Sequence, residues 1–120
     1  MYQLFGIKNC NTVSKAIKWL EEKNIEFDFV DVKKNLSSNQ INSWFKNLPK
    51  PLESIMFINQ RGITWRSFSE EEKLLINSES GIIEIILKKP SVMKRPVLTE
   101  NGLVKLLGFD EALYKKEFNE

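Results

Sequence analysis

Two apolar runs flank an amphipathic helix in the first 32 residues, and this arrangement constrains the fold more than any other feature. Residues 2–7 and 27–32 are rich in the apolar and aromatic side chains of buried strands. Between them, apolar residues at i, i+3, i+4 and i+7 form one stripe of a predicted helix over residues 12–23. A strand, a helix and a strand with short connections predict two parallel strands joined by a right-handed crossover.

The middle of the chain predicts a helical insertion over about residues 35–90. Ser37 and Ser38 precede an apolar pattern typical of a capped helix that ends near Pro49. Residues 60–66 are expected to form a turn or an irregular segment. The remaining periodic segments predict two more helices, over residues 69–76 and 80–87.

The last third of the chain predicts a hairpin followed by a helix. Apolar segments before and after a turn at residues 100–102 indicate two antiparallel strands. Residues 109–118 are predicted to be helical, with Leu113 and Phe118 as candidate packing residues. The whole pattern is an α/β, thioredoxin-like layout: a mixed, four-stranded sheet with a helical insertion between strands 2 and 3, all in a single domain over residues 1–120.

Composition limits the chemistry that this chain can perform. Its 120 residues suit one compact domain, and a formal net charge of +2 is too small to favour direct binding to nucleic acid or an anionic membrane. The chain has no histidine, which excludes catalysis through a histidine base and imidazole zinc sites. A single cysteine cannot form an internal disulfide and suits the reducing cytoplasm. We find no secretory signal and no apolar stretch of the roughly 20 residues that span a bilayer.

The single cysteine, Cys10, lies between the first predicted strand and the first predicted helix. At a helix start the backbone N–H groups lack partners within the helix, and the helix dipole is positive there. Both features stabilise a thiolate, so the placement favours a reactive thiol over a small buried hydrophobic residue. The backbone N–H groups from Asn11 and Thr12 onward form a candidate cradle for a thiolate or an oxyanion. The Thr12 hydroxyl either caps the helix or donates to the sulfur, and Lys15 either reaches back toward the sulfur or is solvated.

Five segments together carry a resemblance to a known family, and they are residues 2–12, 15–20, 59–66, 94–98 and 108–109. In order, and along almost the whole chain, these segments resemble the arsenate reductase (ArsC) family. Among its branches they are most similar to the small YffB-like proteins, with the Spx regulators as a related branch.

This resemblance implies roles for individual residues. Cys10 corresponds to the family's nucleophile. Pro96 resembles the proline that precedes the closing strand of thioredoxin-like folds, which is typically cis and faces the reactive thiol. Arg95 would then bring its guanidinium to the same pocket, lower the pKa of the thiol and bind an oxyanion or carboxylate. Arg61 lies in the region where the family has an anion-binding arginine. Arg66 is a candidate either for anion binding or for a salt bridge with the acidic residues Glu70 to Glu72 that follow it.

The chain also departs from the family pattern at two positions. Arsenate reductases carry a further arginine after the closing hairpin, whereas only Lys105 lies near the corresponding stretch here, which argues against arsenate turnover. Spx regulators commonly have a second cysteine three residues after the first, and that position is Val13. An internal redox switch of that kind is therefore excluded.

The leading hypothesis is a cytosolic thiol-dependent oxidoreductase that holds no cofactor of its own. Cys10 would attack a small oxyanion or an oxidised thiol, and glutathione or a glutaredoxin-type redox protein would resolve the adduct. The alternative is a non-catalytic regulator, similar to Spx, that binds RNA polymerase or another protein partner.

Overall fold

The computed structural model describes residues 1–120 and divides the chain into two compact units. The first unit comprises residues 1–32 and 95–120, and the second comprises residues 33–94. The predicted helical insertion at residues 35–90 falls within the second unit. None of the helices in either unit has both the length and the apolar character needed to cross a bilayer.

The first unit is a mixed sheet with two helices. Its elements are β1 (Tyr2–Gly6), α1 (Asn11–Glu22), β2 (Asp28–Asp31), β3 (Val97–Glu100), β4 (Leu103–Leu107) and a C-terminal helix, α6 (Glu111–Phe118). The strand order is β2-β1-β3-β4, with β1 and β2 parallel and the other two pairs antiparallel. The predicted four-stranded mixed sheet and its parallel crossover are thus confirmed. In the antiparallel pairing of β1 with β3, Phe5 lies opposite Val97 and Tyr2 lies opposite Glu100.

The turn between β3 and β4 lies where the sequence predicted it. Asn101 and Gly102 both have positive φ, 52° and 83°, as a tight two-residue hairpin turn requires. The register of the two strands shifts between Leu98 and Thr99, so β4 contains a bulge.

One hydrophobic cluster joins the helices of this unit to the sheet. Its fully or nearly fully buried members are Leu4, Ala16, Trp19, Leu20, Leu98 and Tyr114. Leu113 was predicted to pack here, and that prediction is wrong, because Leu113 is 50% exposed. Tyr114 lies four positions before Phe118, on the same side of α6. The ring centroids of Tyr114 and Phe118 lie 5.6 and 5.9 Å from that of Trp19. The helix therefore turns the Tyr114 side toward the cluster.

The second unit consists of short helices around its own core. Its α-helices are α2 (Ser38–Lys46), α3 (Ile63–Ser67), α4 (Glu70–Lys73) and α5 (Glu79–Lys88), and 3-10 turns occupy Ser54–Phe57, Leu74–Asn77 and Pro90–Val92. Serine side chains cap three of the helices, at Ser37, Ser69 and Ser78. The buried apolar residues are Ile41, Trp44, Phe45, Phe57, Ile58, Phe68, Ile82, Ile85, Ile86, Val92 and Met93.

Two local predictions in this unit need correction. Residues 60–66 were expected to form a turn or an irregular segment. Gln60 and Arg61 do form a turn, but a one-turn helix begins at Ile63, and the Ser67 hydroxyl donates to the Thr64 carbonyl at 2.6 Å. The single helix predicted over residues 69–76 is divided into α4 and the 3-10 turn that follows it. Ser69 and Glu72 form the capping box that begins α4.

Candidate thiol site

Cys10 is the N-cap residue of α1, in the loop that leaves β1. Its backbone is extended, with φ −91° and ψ 125°, and its carbonyl accepts the N–H of Ser14 at 3.0 Å, which closes the first turn of the helix. Its own N–H donates to the Ile7 carbonyl at 3.1 Å. The thiol is free of any disulfide and is partly exposed. The loop and the helix thus fix the backbone around the sulfur and leave the sulfur open to a reactant.

The surroundings of Cys10 favour its thiolate form. Burial alone raises the pKa of Cys10. Hydrogen bonds from the backbone N–H of Val13, the Arg95 side chain and the backbone N–H of Thr12 act against burial, and so does the positive charge of Arg95. The net result is that the pKa of Cys10 lies below its ordinary value. The N–H groups of Thr12 and Val13 are those of positions N2 and N3, which a cap side chain usually accepts.

Arg95 reaches the thiol because of its position in the sheet. β3 runs antiparallel to β1, and its first residue, Val97, lies opposite Phe5, near the end of β1 that leads to Cys10. The Arg95–Pro96 peptide bond is cis. The Pro96 carbonyl accepts the N–H of Gly108 at 2.8 Å, which ties this segment to the end of β4. Arg95 and Cys10 therefore lie at the same edge of the sheet.

Three further residues were predicted on the first turns of α1, and the structure gives them different roles. Thr12 contributes its backbone N–H to the thiolate, while its side chain is exposed. Asn11 and Lys15 are exposed, and neither affects the pKa of Cys10.

Arg61 belongs to the second unit, so it is described there by itself. It lines a cavity of about 440 Å³ together with Met56, Ile58, Asn59, Gln60 and Lys94. The Asn59 side chain accepts the N–H of Arg61 at 3.2 Å, and Arg66 donates to the Arg61 carbonyl at 3.0 Å. The predicted salt bridge of Arg66 with the following acidic residues is therefore replaced by a contact that braces the Arg61 loop. No acidic side chain lines this cavity.

Lys105, the only cation near the stretch where arsenate reductases have a further arginine, points away from the thiol. Its ammonium nitrogen lies 3.8 Å from a carboxylate oxygen of Glu100 and 4.0 Å from one of Glu117. Glu100 pairs with Tyr2, at the opposite end of β1 from Cys10. Lys105 therefore supplies no charge to the thiol site.

The N–H of Val13 belongs to the cradle predicted from Asn11 and Thr12 onward, whereas Gly6, which lies against the Val13 side chain, carried no prediction. Val13 is three residues after the N-cap, the position whose N–H a cap side chain accepts, and that spacing was the available signal. A glycine inside an apolar strand was the signal for Gly6, since it often marks a close approach of another backbone or side chain. In neither unit are three or more Cys, Asp and Glu side chains arranged to hold a metal ion.

The sheet order, the cysteine at the start of α1 and the cis proline before β3 define a thioredoxin-like protein with a single-thiol site. The chain belongs to the ArsC family, whose sequence profile matches residues 5–117, and within it to the YffB-like branch.

Individual relatives cover nearly the whole chain. An uncharacterized protein of Haemophilus influenzae is 30% identical over 118 residues, which are 98% of this chain and 99% of that protein. A solved structure of a YffB protein shares 33% identity, with a TM-score of 0.85 and 97% of each chain covered. The crystal structure of a possible arsenate reductase from Streptococcus mutans UA159 shares 25% identity, with a TM-score of 0.82 and 98% of each chain covered.

Proposed function

We propose that the protein is a cytosolic thiol-dependent oxidoreductase in which the Cys10 thiolate attacks an oxidised thiol or a small oxyanion, and glutathione or a glutaredoxin-type protein completes the reaction. The observation that carries this proposal is the free, partly exposed Cys10 at the N-cap of α1, with Arg95 at the same edge of the sheet. A thiolate, rather than a thiol, is the nucleophile in thiol–disulfide exchange. Family membership supports the same reading, and a lone free cysteine suits a reducing compartment.

The proposed reaction with a disulfide has two steps. The Cys10 thiolate first attacks one sulfur of oxidised glutathione, so a bond between Cys10 and that sulfur forms, the original S–S bond breaks, and one glutathione leaves as a thiolate that takes a proton from water. An external thiolate then attacks the glutathione sulfur of this mixed disulfide, and Cys10 leaves as a thiolate. The external thiol is thereby oxidised to a mixed disulfide with glutathione, and Cys10 is unchanged. When the external thiol is glutathione itself, these two steps only exchange one glutathione for another, so net turnover requires a disulfide other than oxidised glutathione or an external thiol other than glutathione. The second step needs an external thiol because the chain has no other cysteine.

The position of Arg95 favours a substrate that carries a negative charge near the atom that Cys10 attacks. A guanidinium forms paired hydrogen bonds with a carboxylate or an oxyanion, and it also stabilises a thiolate that attacks or leaves. The position of Lys105 favours disulfide over arsenate as the substrate, because a second cation at the thiol is absent while Lys105 is paired with Glu100 and Glu117. In the second unit, the Arg61 cavity offers a binding site for an anionic group, with Lys94 as a further cation.

The proposal is tested by incubating the protein with oxidised glutathione and looking for a mixed disulfide by mass spectrometry. We expect one glutathione per chain, removed by dithiothreitol and absent in Cys10→Ser. Turnover of a small disulfide other than oxidised glutathione, such as hydroxyethyl disulfide, and of arsenate is then compared with glutathione plus glutaredoxin as the reductant. Cys10→Ser is expected to abolish turnover and Arg95→Ala to lower it, with the disulfide preferred over arsenate. Absence of any adduct on the folded wild-type protein would contradict the proposal.

The same preparation distinguishes the alternative function. If no adduct forms and RNA polymerase subunits are retained from a cell extract equally by wild type and Cys10→Ala, the protein is a binding protein similar to the Spx regulators.

A further inference from the structure

The first turn of α1 rests on β1 at one very close contact, between Val13 and Gly6. Val13 is fully buried, and a Cβ atom added to Gly6 would lie 2.8 Å from its Cγ2 atom and 3.1 Å from its Cγ1 atom. Both distances are shorter than an ordinary contact between carbon atoms, which is about 3.5–4.0 Å. The two methyl groups of Val13 therefore occupy the space that any side chain at position 6 would need.

Backbone conformation does not explain the glycine. Its φ is not positive, unlike those of Gly102 and Gly108. Gly6 pairs in register with Asp31, and its carbonyl accepts the N–H of Val32 at 3.1 Å, as any strand residue does. Glycine is unfavourable inside a strand, where its extra backbone freedom is lost on folding. Position 6 needs glycine because there is no room for a side chain beside Val13.

Val13 connects this contact to the thiol. Its side chain rests on Gly6, and its N–H is one of the two helix N–H groups that stabilise the Cys10 thiolate. Valine has one strongly preferred rotamer in a helix, so its methyl groups cannot rotate away from a side chain at position 6 without strain. A larger residue there must move the first turn of α1, and the N–H of Val13 moves with it.

We propose that Gly6 is a positioning residue for Cys10, because its missing side chain lets Val13 rest directly on β1 and thereby holds the N–H of Val13 at the sulfur. The proposal deepens the function inferred above and rests on Cys10 acting as a thiolate. It identifies the strand, and not only the helix, as part of the device that activates the thiol.

The test uses a pair of compensating substitutions, Gly6→Ala and Val13→Ala, alone and together. The pH dependence of alkylation by iodoacetamide gives the pKa of the thiol in each variant, because Cys10 is the only cysteine. We expect Gly6→Ala to raise the pKa of Cys10 toward the ordinary thiol value of about 8.5. Val13→Ala leaves a gap over Gly6 and is expected to raise it less. The double variant refills that gap, so we expect its pKa to return toward that of the wild type.

A purely structural role of Gly6 predicts another outcome. Leu20→Ala, a fully buried site on the same helix but two turns away, serves as the matched control. We expect it to lower thermal stability without moving the pKa of Cys10. If Gly6→Ala lowers stability and leaves the pKa unchanged, the proposal is overturned.

The remaining outcomes also decide the question. If Gly6→Ala does not fold, Val13→Ala and the double variant still test the contact, and equal thiol pKa values in both and in the wild type would overturn the proposal. Iodoacetamide reports on the thiolate whatever the natural reactant is. Failure of the glutathione experiment with a positive result here would therefore reject the proposed substrate and retain the role of Gly6.

Discussion

The two ends of β1 each have a nearby cation, and the two cations have different partners. At the end that leads to α1, the Arg95 side chain hydrogen-bonds the Cys10 thiolate. At the other end, Lys105 lies between the carboxylates of Glu100 and Glu117. Tyr2 lies at this second end, and burial, the two nearby carboxylates and a hydrogen bond with Glu100 raise its pKa.

The contrast shows which end of the sheet is suited to chemistry. A parallel β-α-β crossover brings the start of a helix to the carboxyl end of the first strand, so unpaired N–H groups and a positive dipole lie there. Arg95 lies at that end too, so its positive charge and the helix N–H groups act together on the Cys10 sulfur. At the opposite end, carboxylates neutralise the lysine, and no thiol lies beside it. One end of the sheet thus favours the thiolate of Cys10, whereas the charges at the other end are paired with one another.

Removing each cation should have very different effects on the thiol, and this is the largest difference that the comparison predicts. Arg95→Ala is expected to raise the pKa of Cys10. Once the pKa lies above the pH of the assay, each further unit lowers the thiolate fraction about tenfold, while the intrinsic nucleophilicity of the thiolate rises about threefold. Alkylation by iodoacetamide at pH 7 should therefore slow by roughly threefold for each unit. Arg95→Lys, which keeps the charge but not the fork of donors, is expected to lie between.

Lys105→Ala is the matched control at the other end of the sheet. We expect no change in the alkylation rate and a loss in the free energy of unfolding of at most about 1 kcal/mol, because the two ion pairs are partly exposed. Equal slowing of alkylation in Lys105→Ala and Arg95→Ala would show that the two ends do not differ in the way described.

The two ends should also affect stability with opposite dependence on pH, a smaller effect. The pKa of Cys10 is lowered on folding, so its contribution to stability is complete above about pH 8.5 and is lost as the pH falls through the lowered value. The pKa of Tyr2 is raised, so its contribution is complete below about pH 10 and is lost as the pH rises through the raised value. Urea unfolding of wild type, Cys10→Ser and Tyr2→Phe across this pH range measures both.

We expect the difference in stability between wild type and Cys10→Ser to grow from neutral toward mildly alkaline pH, and the difference between wild type and Tyr2→Phe to change only at higher pH. Burial also raises the pKa of Tyr114. Because Tyr114 is present in the wild type and in both variants, its contribution cancels when the stability of a variant is subtracted from that of the wild type. A difference between wild type and Cys10→Ser that does not vary with pH would mean that folding leaves the thiol unperturbed.

Local sequence signals were sufficient for the elements that build the thiol site. The spacing of Val13, Ala16 and Leu20 predicted α1, and the pair Asn101-Gly102 predicted the closing turn. Both depend on contacts within a few residues, which the sequence displays directly. The position of Cys10 between strand and helix followed from the same signals.

Features that depend on contacts between distant parts of the chain could not be predicted in this way. Lys105 is paired because the bulged hairpin and α6 bring Glu100 and Glu117 to it. Tyr114 and not Leu113 is buried because the start of α6 fixes which side turns toward Trp19. Gly6 shows its role only once α1 is packed on β1. In each case, the spacing of residues in the sequence is compatible with more than one set of contacts, and tertiary packing determines which set forms.

Direct titration of the Cys10 thiolate tests the central claim. The ultraviolet absorbance of the thiolate is followed against pH in the wild-type protein, and the same curve for Cys10→Ser is subtracted to remove the tyrosines. Because the chain has one cysteine, the difference reports on Cys10 alone. We expect a midpoint clearly below the ordinary thiol value of about 8.5. A midpoint at or above that value would contradict it.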